Sequence, residues 1–304
     1  MKNDPMLLGV DFGGTKIEAA VLDLAGRPIV RKRVATPGDY GSALEAVRDL
    51  VTSIEAETIV FDRLGVGAPG SISPNTGLLR NSNTTYLNGR PFAQDLERTL
   101  GKRVRMSNDA NCLALSEAAD GAAAGGKCVF AVIIGTGCGG GLVINGRLIE
   151  GANGIAGEWG HNPLPWPTPD QARQAPRCWC GQISCQETWI SGSGLQRDFF
   201  ETTGVQLSGE DIVAASRRGD PPAVAAFERY VDRLSRALAV VVNLVDPEVI
   251  VLGGGMANVS ELYEALPDLI RRHVFSDAWA ARIVRAQWGD SSGVRGAARL
   301  WMPT

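Results

Sequence analysis

Apolar positions along the chain follow two rhythms. The opening stretch, "MLLGVDFGGTKIEAAVLDLAGRPIVRKRV", reads as a buried strand ("LLGV"), a glycine turn ("FGGT") and an alternating strand ("IEAAVL"). A turn ("LAGR") and a third strand ("PIVRKRV") follow. From Gly41 to about Ile54 the spacing changes to helical, with Leu44, Val47, Val51 and Ile54 on one face. "LGVGAPG" predicts a strand running into a turn. "VRMSNDANCLALSEAADGAA" predicts a strand and then a helix starting near Asn108, a residue type suited to an N-cap. "DPPAVAAFERYVDRLSRALAVVVNLV" predicts a long amphipathic helix, and "VIVLGGGM" a strand entering another glycine turn. Helical spacing returns from about Val259 to Arg272 and in "GVRGAARLW". Between 151 and 195 the periodicity is weak, and Gly, Pro, Trp and Cys dominate.

The opening pattern occurs twice. "VFAVIIGTGCGGGLVINGRLI" is again strand, glycine turn, alternating strand, Gly-Arg turn and strand, about 120 residues after "GVDFGGTKIEAAVLDLAGRPI". Two copies of one supersecondary unit imply two similar α/β domains. The second copy contains Gly135-x-Gly137-x-x-Gly140, the spacing of a dinucleotide fingerprint. That fingerprint requires its glycines to open a helix. Here "LVINGRLI" alternates with period two and turns at Asn145-Gly146, so it predicts a hairpin and argues against NAD.

Composition narrows the class. The chain has 304 residues, 44% hydrophobic and 21% charged, the balance of a globular enzyme with more than one core. The net charge of -3 argues against a nucleic-acid or anionic-membrane surface. No apolar run approaches the length of a membrane span, and "MKNDPMLLGVDFGG" lacks a signal-peptide core, so a cytoplasmic location is expected. Six cysteines in a reducing compartment are then not disulfides.

The glycine turns suggest phosphate binding. Backbone N–H groups of two facing glycine hairpins can grip a phosphate chain, because glycine permits close approach. The candidates are Gly9, Gly13, Gly14, Gly135, Gly137, Gly139, Gly140, Gly141, Gly254 and Gly255. Thr15 and Thr136 could hydrogen-bond phosphate oxygens, Lys16 could add charge, and Asp11 could hold Mg²⁺ through water. Ordinary hairpin glycines are the bland alternative, and no Walker A sequence is present. Cys178, Cys180 and Cys185 fall within eight residues, with His161 upstream. Three thiolates and one imidazole would close a tetrahedral, structural zinc site; free buried cysteines or a redox pair are the alternatives. Cys112, Cys128 and Cys138 read as buried small residues, and His273 as a surface residue near a helix end.

"GVDFGGTKIE", "GTGCGGGL", "GEWGHNPL" and "CWCGQISCQETWISGSG" resemble the ROK family of bacterial sugar kinases and sugar-responsive repressors. The resemblance covers nearly the whole chain. It implies the actin-like ATPase fold, two ribonuclease-H-like α/β domains around a cleft that holds ATP and sugar. The first domain would span 1–119, completed by 291–304; the second would span 120–290, with a zinc-binding insertion at 157–187. "PGSISPNTG", "LNGRPF", "VFAVIIGTGCG", "GEWGHNPLPW" and "GDSSGVRGAA" look most like the fructokinase (mannofructokinase) branch. The implied activity is ATP- and Mg²⁺-dependent phosphorylation of a hexose, D-fructose in that branch, with N-acetylglucosamine, mannose or glucose as alternatives.

By resemblance, Asp109 of "SNDANCLA" is the catalytic base and Asn108 a sugar contact; read alone, the pair would pass as a helix cap. The helix N-terminus is expected to cost this base some basicity by favouring its anion. The family also uses Glu158, His161 and Glu187 on the sugar, with Gly70, Ser71 and Asn83 as weaker candidates. Its cysteine knot has a second glycine where this chain has Ser184, a change that touches a turn but no ligand. Repressors of the family carry an N-terminal helix-turn-helix, for which a first strand beginning by about Met6 leaves no room. Family members are often homodimers, but no apolar face that would seal a dimer stands out in the sequence.

Overall fold

The computed structural model describes residues 6–302. The ends of the expected first domain, 1–5 and 303–304, lie outside the described residues. Chain order begins with β1 (Met6–Phe12), β2 (Lys16–Asp23), β3 (Pro28–Ala35), α1 (Tyr40–Glu55) and β4 (Arg63–Gly67). A small ribbon, β5 (Ser71–Ile72) with β6 (Leu79–Arg80), leads to α2 (Phe92–Leu100), β7 (Arg103–Ser107) and α3 (Asp109–Asp120). The second copy contributes β8 (Cys128–Ile134), β9 (Cys138–Ile144) and β10 (Arg147–Leu148). After an irregular stretch come α4 (Pro169–Arg173), α5 (Glu187–Ile190), α6 (Gly192–Thr203), α7 (Gly209–Arg217) and α8 (Pro221–Val245). The chain ends with β11 (Val249–Gly253), α9 (Glu261–Arg271), β12 (Arg282–Arg285) and α10 (Ser292–Arg299).

The duplication is visible in the sheets. One runs β3-β2-β1-β4-β7 and the other β10-β9-β8-β11-β12, so each places its third, second, first, fourth and fifth strands side by side in that order. In the first sheet β1 pairs antiparallel with β2 and parallel with β4, and β4 pairs parallel with β7. In the second, β11 pairs parallel with β8 and β12. The strands β1 and β8 are buried nearly throughout, as a strand covered on both faces must be. β3, with Arg31, Lys32 and Arg33, forms an edge that charge protects from pairing with another chain. The turn joining β9 to β10 has φ of 51° at Asn145 and 76° at Gly146, the geometry of a tight hairpin with two left-handed residues.

Two compact units emerge. One comprises residues 6–125, 141–156 and 287–302; the other comprises 126–140 and 157–286. The first unit's core joins Leu8, Val10 and Phe12 of β1 to Val47, Val51 and Ile54 of α1, with Phe92 and Leu96 of α2. Its other face is covered by α3 and α10. The split of β9 differs from the expected boundary near residue 119. Gly141 sits so close to α3 that an added Cβ would lie 2.6 Å from the Ala110 carbonyl oxygen, so the chain from 141 onward packs with the first unit. In the second unit, α8 is buried over most of its length and carries Arg233, whose guanidinium meets the buried Asp198 of α6 at 2.7 Å.

Candidate active site

In the first unit, the turn after β1 is built for close approach. The Gly13 N–H donates to the Lys16 carbonyl at 2.9 Å, and the Thr36 hydroxyl donates to the Gly13 carbonyl at 2.7 Å. Gly14 and Thr15 are left exposed at the tip. Lys16 pairs with Asp290 at 3.1 Å. Asp11 lies one turn away, and among the described residues no cation pairs with it. Its carboxyl is pushed up to about 7, first by burial and then by the negative charges of Asp109 and Glu18; Lys16 opposes the shift. A divalent cation beside such a carboxylate would offset the neighbouring negative charges.

Asn108 and Asp109 are separated in role by α3. The Asn108 side-chain oxygen accepts from the Asn111 N–H at 2.7 Å and so caps the helix. Its amide N–H₂ is left to donate to a ligand. Asp109 is the first helical residue, and its carboxylate accepts from the Ala110 N–H at 2.9 Å. The expected loss of basicity is corrected here. The residue is exposed, but the protein packed around it desolvates the carboxylate and raises its pKa despite two opposing backbone hydrogen bonds. Desolvation outweighs the helix terminus.

A cavity of about 260 Å³ opens beside Asn108, lined among others by Gly70, Ser71, Ser107, Asn111 and Glu150. It approaches the lower end of the volumes that hold small ligands. Gly70 must be glycine, because its φ is 92° and a Cβ would lie 2.4 Å from the Arg80 carbonyl oxygen. The Ser107 hydroxyl donates to Glu150 at 2.9 Å and accepts from Asn111 at 3.1 Å. Asn83 is exposed and is not part of this lining. Ser107, Asn111 and Glu150 escaped the sequence reading, since a serine ending a strand and a glutamate after a hairpin carry no local signal.

In the second unit, the turn after β8 is closed by Gly135 N–H donating to the Gly137 carbonyl at 3.0 Å. Thr136 is exposed and nothing crowds Gly135. The Gly135 carbonyl also accepts from the Gly192 N–H at 2.7 Å, where α6 begins. Gly254 has a φ of 81° and abuts the end of β8, with a Cβ position 2.5 Å from the Ile134 carbonyl oxygen; Gly255 beside it is open.

Three of the expected phosphate glycines are closely packed. Gly9 is paired on both edges of β1, with Ala20 and Gly65, and a Cβ there would lie 2.4 Å from the backbone of α10. Gly140 is pressed against Trp159 at 2.7 Å, and Gly141 against α3 as described. Gly139 is occupied in part by the Trp159 indole, whose N–H donates to its carbonyl at 3.1 Å. In a strand-and-turn sequence, a glycine that faces phosphate and one that faces a helix are written alike.

His161, Cys178, Cys180 and Cys185 come together, with their ligand atoms all within 4.8 Å of one another. The Cys178 sulfur lies 3.7 Å from His161 Nδ1, and the sulfurs of Cys180 and Cys185 are 3.5 Å apart. A tetrahedral zinc with bonds of about 2.3 Å to sulfur would place its sulfurs ~3.8 Å apart, so the donor set and spacing fit that metal. Ser184 adopts a φ of 65° and keeps the turn that glycine would make, with its hydroxyl accepting from the Trp189 indole at 3.2 Å. Glu187 reaches from α5 to the glycine turn: one oxygen accepts from the Cys138 N–H at 2.9 Å and the other from the Trp179 indole at 2.7 Å. Glu158 is half-buried, three residues before His161.

Buried Glu117, on α3, accepts from the Gln287 N–H at 2.9 Å, the Trp288 N–H at 3.0 Å and the Ser292 hydroxyl at 2.9 Å. It thereby fixes the segment that presents Gly293, where a Cβ would sit 2.6 Å from an Asp11 oxygen. "GDSSGVRGAA" is the sequence signal for that segment, but the pattern alone gives it no task.

Comparison with known proteins agrees with this architecture. The ROK family matches residues 7–303. The chain belongs to the ROK family. It is 41% identical over 299 residues to an N-acetyl-D-glucosamine kinase of Pectobacterium atrosepticum, covering 97% of this chain and 98% of that protein. The crystal structure of a ROK hexokinase from Thermus thermophilus superposes with a TM-score of 0.86 at 33% identity, over 97% of each chain. A ROK family glucokinase from Streptomyces griseus, in complex with glucose and AMPPNP, gives a TM-score of 0.77 at 30% identity, over 97% of this chain and 99% of that one. The fold is thus the actin-like ATPase fold of ROK sugar kinases. The fructokinase expectation draws no support from these names. Among the described residues, no helix is long and apolar enough to cross a membrane.

Proposed function

We propose that the protein is an ATP-dependent hexose kinase with Asp109 as its general base. The observation that carries this reading is the first unit's pair of raised carboxyls, Asp11 behind an exposed glycine turn and Asp109 at the head of α3, next in sequence to Asn108, which lines a small cavity. Asp109 takes the proton of a sugar hydroxyl as its oxygen attacks the γ-phosphorus of ATP; the bond to the β,γ-bridging oxygen breaks and ADP leaves. Phosphoryl transfer demands little beyond positioning and charge. Asn108 donates to the sugar through its remaining amide hydrogens. Gly13, Gly14 and Thr15 in one unit, and Gly135, Thr136 and Gly137 with Gly255 in the other, supply phosphate donors. Asp11 orients Mg²⁺, which when bound offsets charge on the transferring group.

His161, Cys178, Cys180 and Cys185 hold a structural zinc, which would fix the tautomer of His161 and leave its second nitrogen for a sugar hydroxyl. Glu158 and Glu187 complete the sugar contacts. For Glu187 this requires sharing oxygens that already accept protein hydrogens.

N-acetyl-D-glucosamine is the sugar that the named relatives favour. Fructose is a second reading, favoured by the wording of "GEWGHNPLPW" and "GDSSGVRGAA". Release of ADP from ATP and Mg²⁺ should be measured with N-acetyl-D-glucosamine, fructose, mannose and glucose. Preferred turnover of the first is expected, and preferred turnover of fructose would replace it with the second reading. Silence on every hexose, with sugar still bound tightly, would overturn the kinase assignment.

A further inference from the structure

A second cavity of about 400 Å³ lies in the first unit, formed by β2, the turn into β3, the end of α3 and the segment entering α10. Its volume is within the range of small-molecule sites. Leu22, Val294 and Trp288 give it apolar walls, while Arg27, Arg31 and Arg295 bring three guanidiniums. Arg295 is buried, only 4% exposed, and its guanidinium stacks 3.7 Å over the Trp288 ring.

The ion pairs around this cavity are short of anions. Arg295 and Arg299 share one oxygen of Asp120. Arg31 and Arg33 share Glu18, and Arg27 pairs with Asp23. Of the other acids near the cavity, Glu117 spends its oxygens on Gln287, Trp288 and Ser292, and Asp290 pairs with Lys16. At the buried end of the cavity two guanidiniums, those of Arg295 and Arg299, thus meet a single carboxylate oxygen. A surplus cation beside a half-apolar cavity is costly unless an anion joins it. The turn over the cavity is fixed in shape: Gly26 has a φ of 83°, and a Cβ there would fall 1.9 Å from an Asp120 oxygen.

We propose that this cavity is a second ligand site for a small organic anion. Its phosphate or carboxylate group meets Arg27, Arg31 and Arg295, and its apolar body lies against Leu22, Val294 and Trp288. The site is separate from the glycine turn and from the cavity beside Asn108, and it stands whether or not the kinase assignment does.

The test is calorimetric titration of the full chain, saturated beforehand with hexose, Mg²⁺ and AMPPNP to fill the first site. The probes are inorganic phosphate, glucose 6-phosphate, phosphoenolpyruvate and citrate. At least one organic probe is expected to bind, more tightly than inorganic phosphate. Either Arg27→Gln or Arg31→Gln should weaken it about tenfold, the ordinary effect of losing a charge-assisted hydrogen bond. Both side chains are exposed enough for the variants to fold, which circular dichroism checks. Absence of binding by every probe up to 10 mM, or affinity unchanged in both variants, overturns the proposal. A phosphate ester binding without citrate, or the reverse, identifies which anionic group the arginines prefer.

Discussion

Asp109 and Asp11 show how one physical cause can serve two tasks. Burial raises both carboxyls; in the proposed reaction Asp109 would receive a proton and Asp11 would receive a cation. Asp109→Asn keeps the shape and the Asn108 cap while removing the acceptor. Turnover should fall by about 10²–10⁴-fold, the usual worth of a general base, with sugar affinity within a few-fold of the parent. Steady-state kinetics and sugar titration check this, and near-normal turnover would remove Asp109 from the role. For Asp11 the linkage sign follows from its raised pKa. Between about 4 and 7 the folded chain holds a proton that the unfolded chain has released, so this residue's contribution to stability falls as pH rises through that window. Asp11→Asn should therefore melt higher than the parent at pH 8, by on the order of 2–4 °C, and show a smaller gain at pH 5. Melting curves without Mg²⁺ at the two pH values decide it; a gain that grows toward low pH would contradict the shift.

At the scale of elements, α10 is the piece that local pattern explains least. Its sequence, "SGVRGAAR", looks like a weak helix, with two glycines and two arginines in eight residues. Those glycines are what let it reach β1, β4 and α3. A Cβ on Gly296 would lie 1.8 Å from the Cys112 carbonyl oxygen, and one on Gly65 would lie 1.8 Å from that of Ala297. Alanine in a helix interior usually gains about 1 kcal/mol over glycine. Here overpacking against rigid backbone should win, and Gly296→Ala should lose about 2–3 kcal/mol, read from the urea midpoint. A stabilised variant would show that α10 can move away from α3. The hairpins, α1, α8 and the start of α3 were legible because period and caps are local. The recruitment of 287–302 to the first unit, the buried Glu117 and the packing role of Gly9 were not, because each depends on a partner more than fifty residues distant. The pattern sees the residue and not the neighbour that gives it a task.

For the whole molecule, the irregular stretch before α5 raises a question of what orders it. Trp159, Leu164, Cys178 and Cys185 are buried there, but Trp166, Trp179 and Ile183 are exposed, so apolar burial is thin. Its backbone bonds are mostly those of turns, with isolated bridges joining Pro163 to Cys185 and Arg177 to Ile183. An ordered segment with so small a core must offset part of its chain entropy in another way, and four ligands to one zinc can do so. Glu187 then transmits that order to the glycine turn through its bond to the Cys138 N–H. About one zinc per chain is expected from elemental analysis of protein purified without chelator. Removing it should lower the melting temperature and, through Glu187, raise the KM for ATP before unfolding sets in. Cys180→Ser offers the same comparison without chelator, since Cys180 is the exposed ligand and its loss leaves no cavity. It should reduce zinc content and reproduce the KM change. Fully active protein with no zinc would refute the assignment. Zinc present but KM unchanged on its removal would confine the metal to stability and break the proposed link through Glu187.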